Sequence, residues 1–168
     1  MSLIITDEAF LRVPCEPVKD IREGGEVARK LRAAIEQHNK RTRKQVRAGK
    51  IRSASLGVGL AAPQIGIRKR VCLVYVNELP LVLINPVIVA HSHVRIPFKE
   101  GCLSFPGKAV DTWRYIWVTI QTMNHGEITL GPTDPSSVNE TSLLKSVVTQ
   151  HEIDHLDGIL FFERKEDV

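Results

Sequence analysis

The chain contains 168 residues, of which 43% are hydrophobic and 25% are charged, and its formal net charge is +4 at pH 7. This length favours one domain over residues 1–168, and no apolar run is long enough to suggest a membrane span. The three cysteines have no repeated spacing, which argues against a disulfide framework and for a reducing compartment. We therefore expect a cytoplasmic protein, or one in an organellar lumen if a transit peptide was removed.

The first predicted element is a helix over EVARKLRAAIEQH, residues 26–38. Its inward-facing residues recur at intervals of three and four, as a helix that buries one face requires. They are Val27, Leu31, Ala34, Ile35 and His38. Gly24 and Gly25 precede this pattern, so we expect the chain to break there before the helix begins.

A basic segment follows the helix at residues 40–52. It contains seven basic residues and no acid, so the positive charge of the chain is concentrated there. Apolar periodicity is lost, and Gly49 with the serines near residues 53–55 indicates either a frayed extension of the helix or an exposed loop. Clustered cations attract ribosomal RNA or another acidic surface, or they only keep the protein soluble. Both interpretations stay open.

The middle of the chain is predicted to form β-strands. Two β-branched runs, RVCLVYV and PLVLINPVIVAH, surround a turn at residues 77–80, and YIWVTIQTM and GEITL flank a hairpin turn at residues 124–126. A last helix is predicted to begin between Ser137 and Ser142, where side chains can cap free amides, and to end near Gly158. Strands in the middle with one helix early and one late favour an α+β domain.

The last helix carries two histidines four positions apart in QHEIDH. Residues at this spacing lie about 40° apart around a helix and about 6 Å along it, so His151 and His155 can direct their rings at one ion. Glu152 lies about 100° from His151, which suits a base beside the open face of a metal. Two hydrogen-bonded histidines at the edge of the core are the alternative. The apolar stripe of the helix runs into both residues, and a buried imidazole pair needs partners, which favours the metal.

A catalytic metal needs a third protein ligand. Glu163 and Glu166 lie downstream, but the chain beyond His155 has no room for an extra helix that would return such a ligand to the site. Upstream, Cys102 in KEGCLSFPG is a candidate, although a lone cysteine is more often an inert core residue. The residues alone leave the third ligand open.

Three separate segments resemble the signature motifs of the peptide deformylase family. They are GVGLAAPQIG at residues 57–66, EGCLS at 100–104 and QHEIDHLDG at 150–158, and they occur in the order of the family. The likeness extends to LIITDEAFLRVPCEPV near the amino terminus and to LINP at 83–86, so it covers nearly the whole chain. It implies small mixed or antiparallel β-sheets packed around a central metal-bearing helix, with one N-terminal helix.

The resemblance implies a metal held by Cys102, His151 and His155, with the fourth position left to water. Ferrous iron, Fe2+, is the usual physiological metal of the family, and Zn2+, Ni2+ or Co2+ can substitute. The family removes the N-formyl group from the N-terminal methionine of newly made polypeptides. We therefore expect a metal-dependent hydrolase that acts on N-formylmethionyl nascent peptides.

The resemblance also implies catalytic roles for three residues. Metal-bound water attacks the formyl carbon, and Glu152 serves as general base and then as general acid. The side-chain amide of Gln64 and the backbone N–H of Leu103 stabilise the oxyanion that forms.

Residues of the substrate groove follow from the same resemblance. These residues are expected to contact the substrate backbone or to form the wall of a methionine pocket. They are Gly57, Val58, Gly59, Phe98, Gly101, Leu144, Val147 and Val148. The first motif also fits a dinucleotide-binding fingerprint, but Pro63 and Gly66 leave no room for the helix that this fingerprint requires. We expect its glycines to let a peptide backbone approach closely, with Gly59 offering a backbone contact.

One position departs from the pattern of the family. Ala109 stands where many members have an arginine that contacts the substrate backbone. Lys108 beside it can substitute as a point charge, without the forked geometry of arginine. Arg114 matches a position that is expected to pair with Glu100, so support for the metal-bearing strand should be kept.

Two other functions remain as alternatives. A metalloendopeptidase is disfavoured because the third ligand is a cysteine and no downstream ligand segment exists. A ribosome- or RNA-associated module without turnover would bind RNA in a salt-sensitive way, but intact Cys102, Gln64 and Glu152 argue against it. The expected partners are nascent peptides and the ribosome or rRNA through segment 40–52, and no membrane.

Overall fold

Three helices and eight strands form the described part of the chain, residues 4–50, 56–76 and 79–165 of a computed structural model. The helices are Glu8–Leu11 (α1), Ile21–Arg47 (α2) and Glu140–Leu156 (α3). The strands are Gly59–Ala61 (β1), Val71–Val76 (β2), Leu79–Ile84 (β3), Val87–His91 (β4), Arg95–Cys102 (β5), Phe105–Tyr115 (β6), Val118–Thr122 (β7) and Gly126–Leu130 (β8).

The strands form three small antiparallel sheets, in the orders β1-β2-β3, β4-β7-β8 and β5-β6. Helix α3 packs against members of all three sheets, namely β1 and β2, β6, and β8. Its residues from Ser146 to Leu156 are all buried, so both histidines are largely shielded from solvent. The expected α+β fold, with small sheets around a central helix and a helix near the amino terminus, is confirmed.

Helix α2 begins earlier than the sequence predicted. The side chain of Asp20 caps it by accepting a hydrogen bond from the backbone N–H of Glu23 at 2.8 Å, and the helix continues through both glycines. Gly24 is needed inside the helix because a Cβ atom there would lie 2.7 Å from two carbon atoms of Ile84. The predicted break at Gly24 and Gly25 is therefore wrong, since close packing and not a turn explains the first glycine.

The two glycines of α2 should respond oppositely to alanine. Gly25→Ala is expected to raise the free energy of unfolding by about 0.5 to 1 kcal/mol, because nothing lies within 4 Å of the new methyl group and alanine favours the helix. Gly24→Ala should lower it by about 1 to 3 kcal/mol, because the methyl group overlaps Ile84. Urea unfolding of both variants measures the difference. Equal shifts in the same direction would show that Gly24 is not packed as described.

The basic segment continues α2 as far as Arg47, and Ala48 ends the helix. Of the two interpretations, the helical extension is confirmed up to that point, and residues 51–55 lie outside the described part of the chain. Asn39 and Thr42 are buried on the inner side of this extension. The extension is thus packed against the domain along one side.

Most of the predicted strands and the last helix are present. The hairpin turn at residues 124–126 joins β7 to β8, with Gly126 at φ +67°. Helix α3 begins after Asn139, whose side chain accepts a hydrogen bond from the backbone N–H of Ser142 at 2.9 Å, and ends at Leu156, two residues before Gly158. Of the turn predicted at 77–80, residues 77 and 78 lie outside the described part, and Pro80 already pairs with Tyr75 in the β2-β3 ladder.

Within the described residues, no helix combines the length and the apolar character that crossing a bilayer would require.

Candidate metal centre and substrate groove

The fold brings together Cys102, at the end of β5, and the two histidines of α3. Their potential ligand atoms all lie within 4.8 Å of one another. The Sγ atom of Cys102 lies 3.2 Å from the Nε2 atom of His155. Residues about fifty positions apart in the chain therefore converge on one point.

The donor set fits a divalent transition metal. One sulfur and two imidazole nitrogens are ligands that zinc and iron accept in proteins. Burial lowers the pKa of His155 well below its usual value, so its ring is neutral and offers a lone pair. Among the described residues, the Nδ1 atom of His155 has no hydrogen-bond partner, so the ring is not held by a hydrogen bond on that side.

Glu100 orients the first histidine. Its Oε2 atom lies 2.6 Å from the Nδ1 atom of His151, which leaves the Nε2 atom of that ring for a metal. Arg114, 2% exposed, donates to both oxygens of the same carboxylate at 2.5 and 3.1 Å, so the expected pairing is present. Burial alone would raise the pKa of Glu100, but the hydrogen bonds from His151 and Arg114 hold it at about 2. The carboxylate therefore stays charged.

A second carboxylate extends this network to the end of the described chain. Asp154 accepts a hydrogen bond from Arg114 at 2.6 Å and two from Arg164 at 2.5 and 3.0 Å. Because Asp154 and Arg114 are buried, each charge needs the other, and together they fix α3 against the β5-β6 hairpin. Neither Asp154 nor Arg164 was predicted from the sequence; the position of Asp154 three residues after His151 was the available signal.

Gln150 attaches the metal-bearing helix to β6. Its side chain accepts a hydrogen bond from the backbone N–H of Tyr115 at 3.0 Å and donates one to the carbonyl oxygen of Tyr115 at 2.9 Å. The hydroxyl of Ser146, one turn earlier in α3, donates to the same carbonyl at 3.0 Å. Neither residue was predicted from sequence, and both position the helix rather than line the groove.

Glu152 lies against the first motif. A Cβ atom at Gly59 would be 2.2 Å from the Oε1 atom of Glu152, so only glycine leaves room for the carboxylate. Glu152 is 4% exposed, and burial raises its pKa to about 7. Its Oε2 atom has no hydrogen-bond partner among the described residues. One oxygen of this carboxyl group is therefore uncommitted beside the Cys102 and histidine cluster.

Gln64 faces the cluster with its amide nitrogen. Its Oε1 atom accepts a hydrogen bond from the backbone N–H of Ala61 at 2.8 Å, which fixes the orientation of the side chain. The Nε2 atom donates to the Sγ atom of Cys102 at 3.4 Å and to the hydroxyl of Ser104 at 3.2 Å. The amide N–H of Gln64 therefore points toward the sulfur of Cys102.

A groove of about 770 Å³ opens over these residues. It is lined by Gln64, Cys102, Leu103, His151 and Glu152 and by every residue predicted for substrate binding: Gly57, Val58, Gly59, Phe98, Gly101, Leu144, Val147 and Val148. Asn39 of α2 fixes the part of the groove wall that contains Gly57. Its side chain accepts a hydrogen bond of 2.7 Å from the N–H of Gly57 and donates one of 3.0 Å to the carbonyl of Gly57. The groove is large enough for a short peptide.

The position that departs from the family pattern lies at the rim of the groove. Ala109 pairs with Gly101 across the β5-β6 hairpin. Lys108 also lines the groove, and its Nζ atom lies 3.6 Å from the ring centroid of Phe162. The lysine therefore supplies a cation at this rim, although no arginine is present at residue 109.

A buried acid beside a cysteine and histidine donor set, in a groove of peptide size, is the arrangement of a metal-dependent hydrolase. The comparisons with known proteins support that class. The family model described as polypeptide deformylase matches residues 1–168. Peptide deformylase of Natranaerobius thermophilus is 44% identical over 113 residues, which span 67% of this chain and 68% of that protein.

Two further relatives cover more of the chain. Peptide deformylase of Acetivibrio thermocellus is 39% identical over 151 residues, which are 88% of this chain and 83% of the relative. The crystal structure of class I type b peptide deformylase from Acinetobacter baumannii, bound to Met-Ala-Ser, superposes with a TM-score of 0.70 at 27% identity over 96% of this chain and 97% of that one. The chain belongs to the peptide deformylase family, the metal-dependent hydrolases that remove the N-formyl group from newly made polypeptides.

Proposed function

We propose that this chain removes formyl from N-terminal methionine at one divalent ion held by Cys102, His151 and His155. The observation that carries the proposal is the convergence of these three side chains within 4.8 Å beside a buried carboxyl group. A divalent ion there would supply a Lewis acid that lowers the pKa of coordinated water to about 7. Fe2+ is the proposed physiological ion, with Zn2+, Ni2+ or Co2+ as substitutes.

Glu152 is the proposed proton carrier. Its uncommitted oxygen accepts a proton from the attacking water, and the same group delivers a proton to the nitrogen that leaves. The C–N bond of the formamide breaks, and formate and a free amino terminus form. Gly59 supports this role because its missing side chain leaves the space that the carboxylate occupies.

Gln64 and Leu103 are the proposed donors to the developing oxyanion. The amide nitrogen of Gln64 is held by the bond between its oxygen and Ala61, so it need not reorganise during the reaction. Leu103 follows Cys102 directly and lines the groove, which supports a role for its backbone N–H.

Removing the amide of Gln64 should slow the chemical step. Gln64→Ala is expected to lower kcat about 100-fold to 1000-fold, because one preorganised oxyanion donor is lost. Steady-state formate release from a formyl-Met peptide measures the effect, with Gln121→Ala on the exposed side of β7 as the control. A higher KM at unchanged kcat would instead assign Gln64 to substrate binding.

The first side chain of the substrate is proposed to pack against an apolar wall of the groove. This wall is formed by Val58, Phe98, Leu144, Val147 and Val148. The backbone is proposed to run beside Gly57, Gly59 and Gly101. The relative from Acinetobacter baumannii that is bound to Met-Ala-Ser supports a peptide that begins with methionine.

We propose that residues 1–168 act as one catalytic domain. Its location is proposed to be the cytoplasm or an organellar lumen, which the free thiols of the three cysteines support.

Formate release from formyl-Met-Ala-Ser by anaerobically purified protein tests the proposed function. We expect turnover of this peptide and no cleavage of casein. Casein cleavage without formate release would favour the endopeptidase, and RNA binding without either activity would favour the module that lacks turnover.

We also propose that segment 40–52 contacts the ribosome through rRNA. Support comes from a second groove, of about 550 Å³, between α2 and Tyr75 of β2. It is lined by Glu36, Asn39 and Tyr75 and by four cations of one helix face: Lys40, Arg43, Lys44 and Arg47. Phosphate groups neutralise such a stripe, and the affinity then falls steeply with salt.

Cosedimentation with ribosomes at low salt tests this contact. Replacing Lys40, Arg43, Lys44 and Arg47 with glutamine is expected to abolish binding, whereas the same change at four exposed cations in the first half of α2 is not. That control set is Arg22, Arg29, Lys30 and Arg32. Equal loss in both variants would indicate general charge attraction, and no loss in either would remove the proposal.

A further inference from the structure

We infer that the rim of the groove selects formylated peptides with an acidic residue at the second or third position, and that Lys108 determines this preference. The inference rests on the proposed function, because it concerns the substrate of the same groove.

The charges that line the groove divide into two groups. Glu100 and Glu152 lie inside, 5% and 4% exposed, and the charge of Glu100 is paired with Arg114 and hydrogen-bonded to His151. Lys99 and Lys108 lie at the exposed rim. A peptide that extends out of the groove therefore meets positive charge where solvent begins.

Two aromatic rings hold Lys108 in place. Its Nζ atom lies 3.6 Å from the ring centroid of Phe162 and 5.7 Å from that of Phe105, and the two rings meet edge to face with centroids 5.5 Å apart. Contact with the rings favours one position of the ammonium group, which does not use its N–H donors. Within the described part of the chain, the side chain of Lys108 forms no ion pair with a carboxylate. Its charge is therefore available to a ligand.

The neighbouring backbone leaves space for a side chain of the substrate. Ala109 and Gly101 face each other across the hairpin and both line the groove, so this pair brings no bulky side chain into it. A lysine presents one compact charge and lacks the planar fork that suits paired acceptors. It therefore distinguishes peptides by charge, and a carboxylate of the substrate is the group that it favours.

A peptide series measures the preference as kcat/KM for formate release. The peptides are formyl-Met-X-Ser and formyl-Met-Ala-X, with X as Glu, Gln or Lys, at low ionic strength. We expect Glu to exceed Lys about threefold to fivefold in at least one series, as for an exposed ion pair. The preference should shrink in 0.5 M salt, where the screening length falls to a few ångströms.

Variants test whether Lys108 causes the preference for acidic peptides. Lys108→Gln should remove the preference mainly through KM, Lys108→Arg should keep it, and Lys108→Glu should reverse it. Lys145→Gln, at an exposed lysine of α3 that does not line the groove, should keep it as well.

Wild-type protein that treats Glu and Lys equally in both series would overturn the inference, as would an unchanged preference in Lys108→Gln. Failure to hydrolyse any formyl peptide would overturn the proposed function itself, and the two outcomes are therefore distinct.

Discussion

Glu152→Gln is expected to lower kcat for formate release by about three orders of magnitude while the protein still binds its metal. The substitution keeps the size of the side chain but removes the group that can take and return a proton. Glu152 lies beside the ligand cluster with one oxygen that makes no hydrogen bond among the described residues. Of the described residues that line the groove, no other carboxyl group is free for this task, because Glu100 is committed to Arg114 and His151.

Glu140→Gln is the matched control for that variant. Glu140 lies in the first turn of the same helix and is exposed, so its loss should leave kcat unchanged. Metal content should be the same in both variants and in the unmodified protein. If Glu152→Gln kept most of its activity at full metal content, the proton would have to travel by another route.

Cys102→Ser should release the metal and abolish activity. A serine hydroxyl remains protonated at neutral pH, so the thiolate ligand is lost and two imidazoles alone must hold the ion. We expect the metal content to fall from about one ion per chain to a small fraction of that value. Elemental analysis of protein purified under argon measures it, and circular dichroism reports whether the fold persists.

Cys15→Ala provides the comparison for that loss. Cys15 is buried in the segment before α2 and is not part of the Cys102 and histidine cluster, and burial raises the pKa of its thiol to about 11. It therefore remains protonated and should not bind a metal, so its removal should leave the metal content unchanged. Equal metal loss in both variants would mean that cysteine substitution acts through folding and not through ligation.

Local signals in the sequence were sufficient to predict helix α3, which carries His151 and His155, and the turn between β7 and β8. The caps near Asn139 and the turn at residues 124–126 fix φ/ψ angles or satisfy free amides within a few residues, so they can be recognised without the fold. The glycine pair of α2 misled the prediction because the reason for Gly24 is its contact with Ile84, sixty residues away. Composition near a glycine does not reveal such a contact.

The β5-β6 hairpin was not predicted as a unit, although it carries Cys102 and supports the site. Its polar residues Glu100, Thr112 and Arg114 interrupt the apolar pattern of a strand, because they point inward to bind one another. Thr112 donates its hydroxyl to Glu100 in the same cluster. A buried polar network depends on partners from distant parts of the chain, and single-sequence periodicity treats its members as surface residues.

The third metal ligand could not be predicted from local sequence patterns either. Helical spacing places His151 and His155 together, but nothing in the spacing connects them with Cys102. Its assignment depended on the resemblance of three motifs to one family, and the fold then placed the sulfur 3.2 Å from His155. Asp154, Gln150 and Arg164 lay beyond prediction because their role is to position other groups.

Anomalous diffraction from crystals grown anaerobically with Fe2+ tests the central claim most directly. The account predicts one strong peak at the iron edge, within bonding distance of the Sγ atom of Cys102 and of the Nε2 atoms of His151 and His155. A peak elsewhere, or a Cys102 sulfur turned away from the ion, would contradict it.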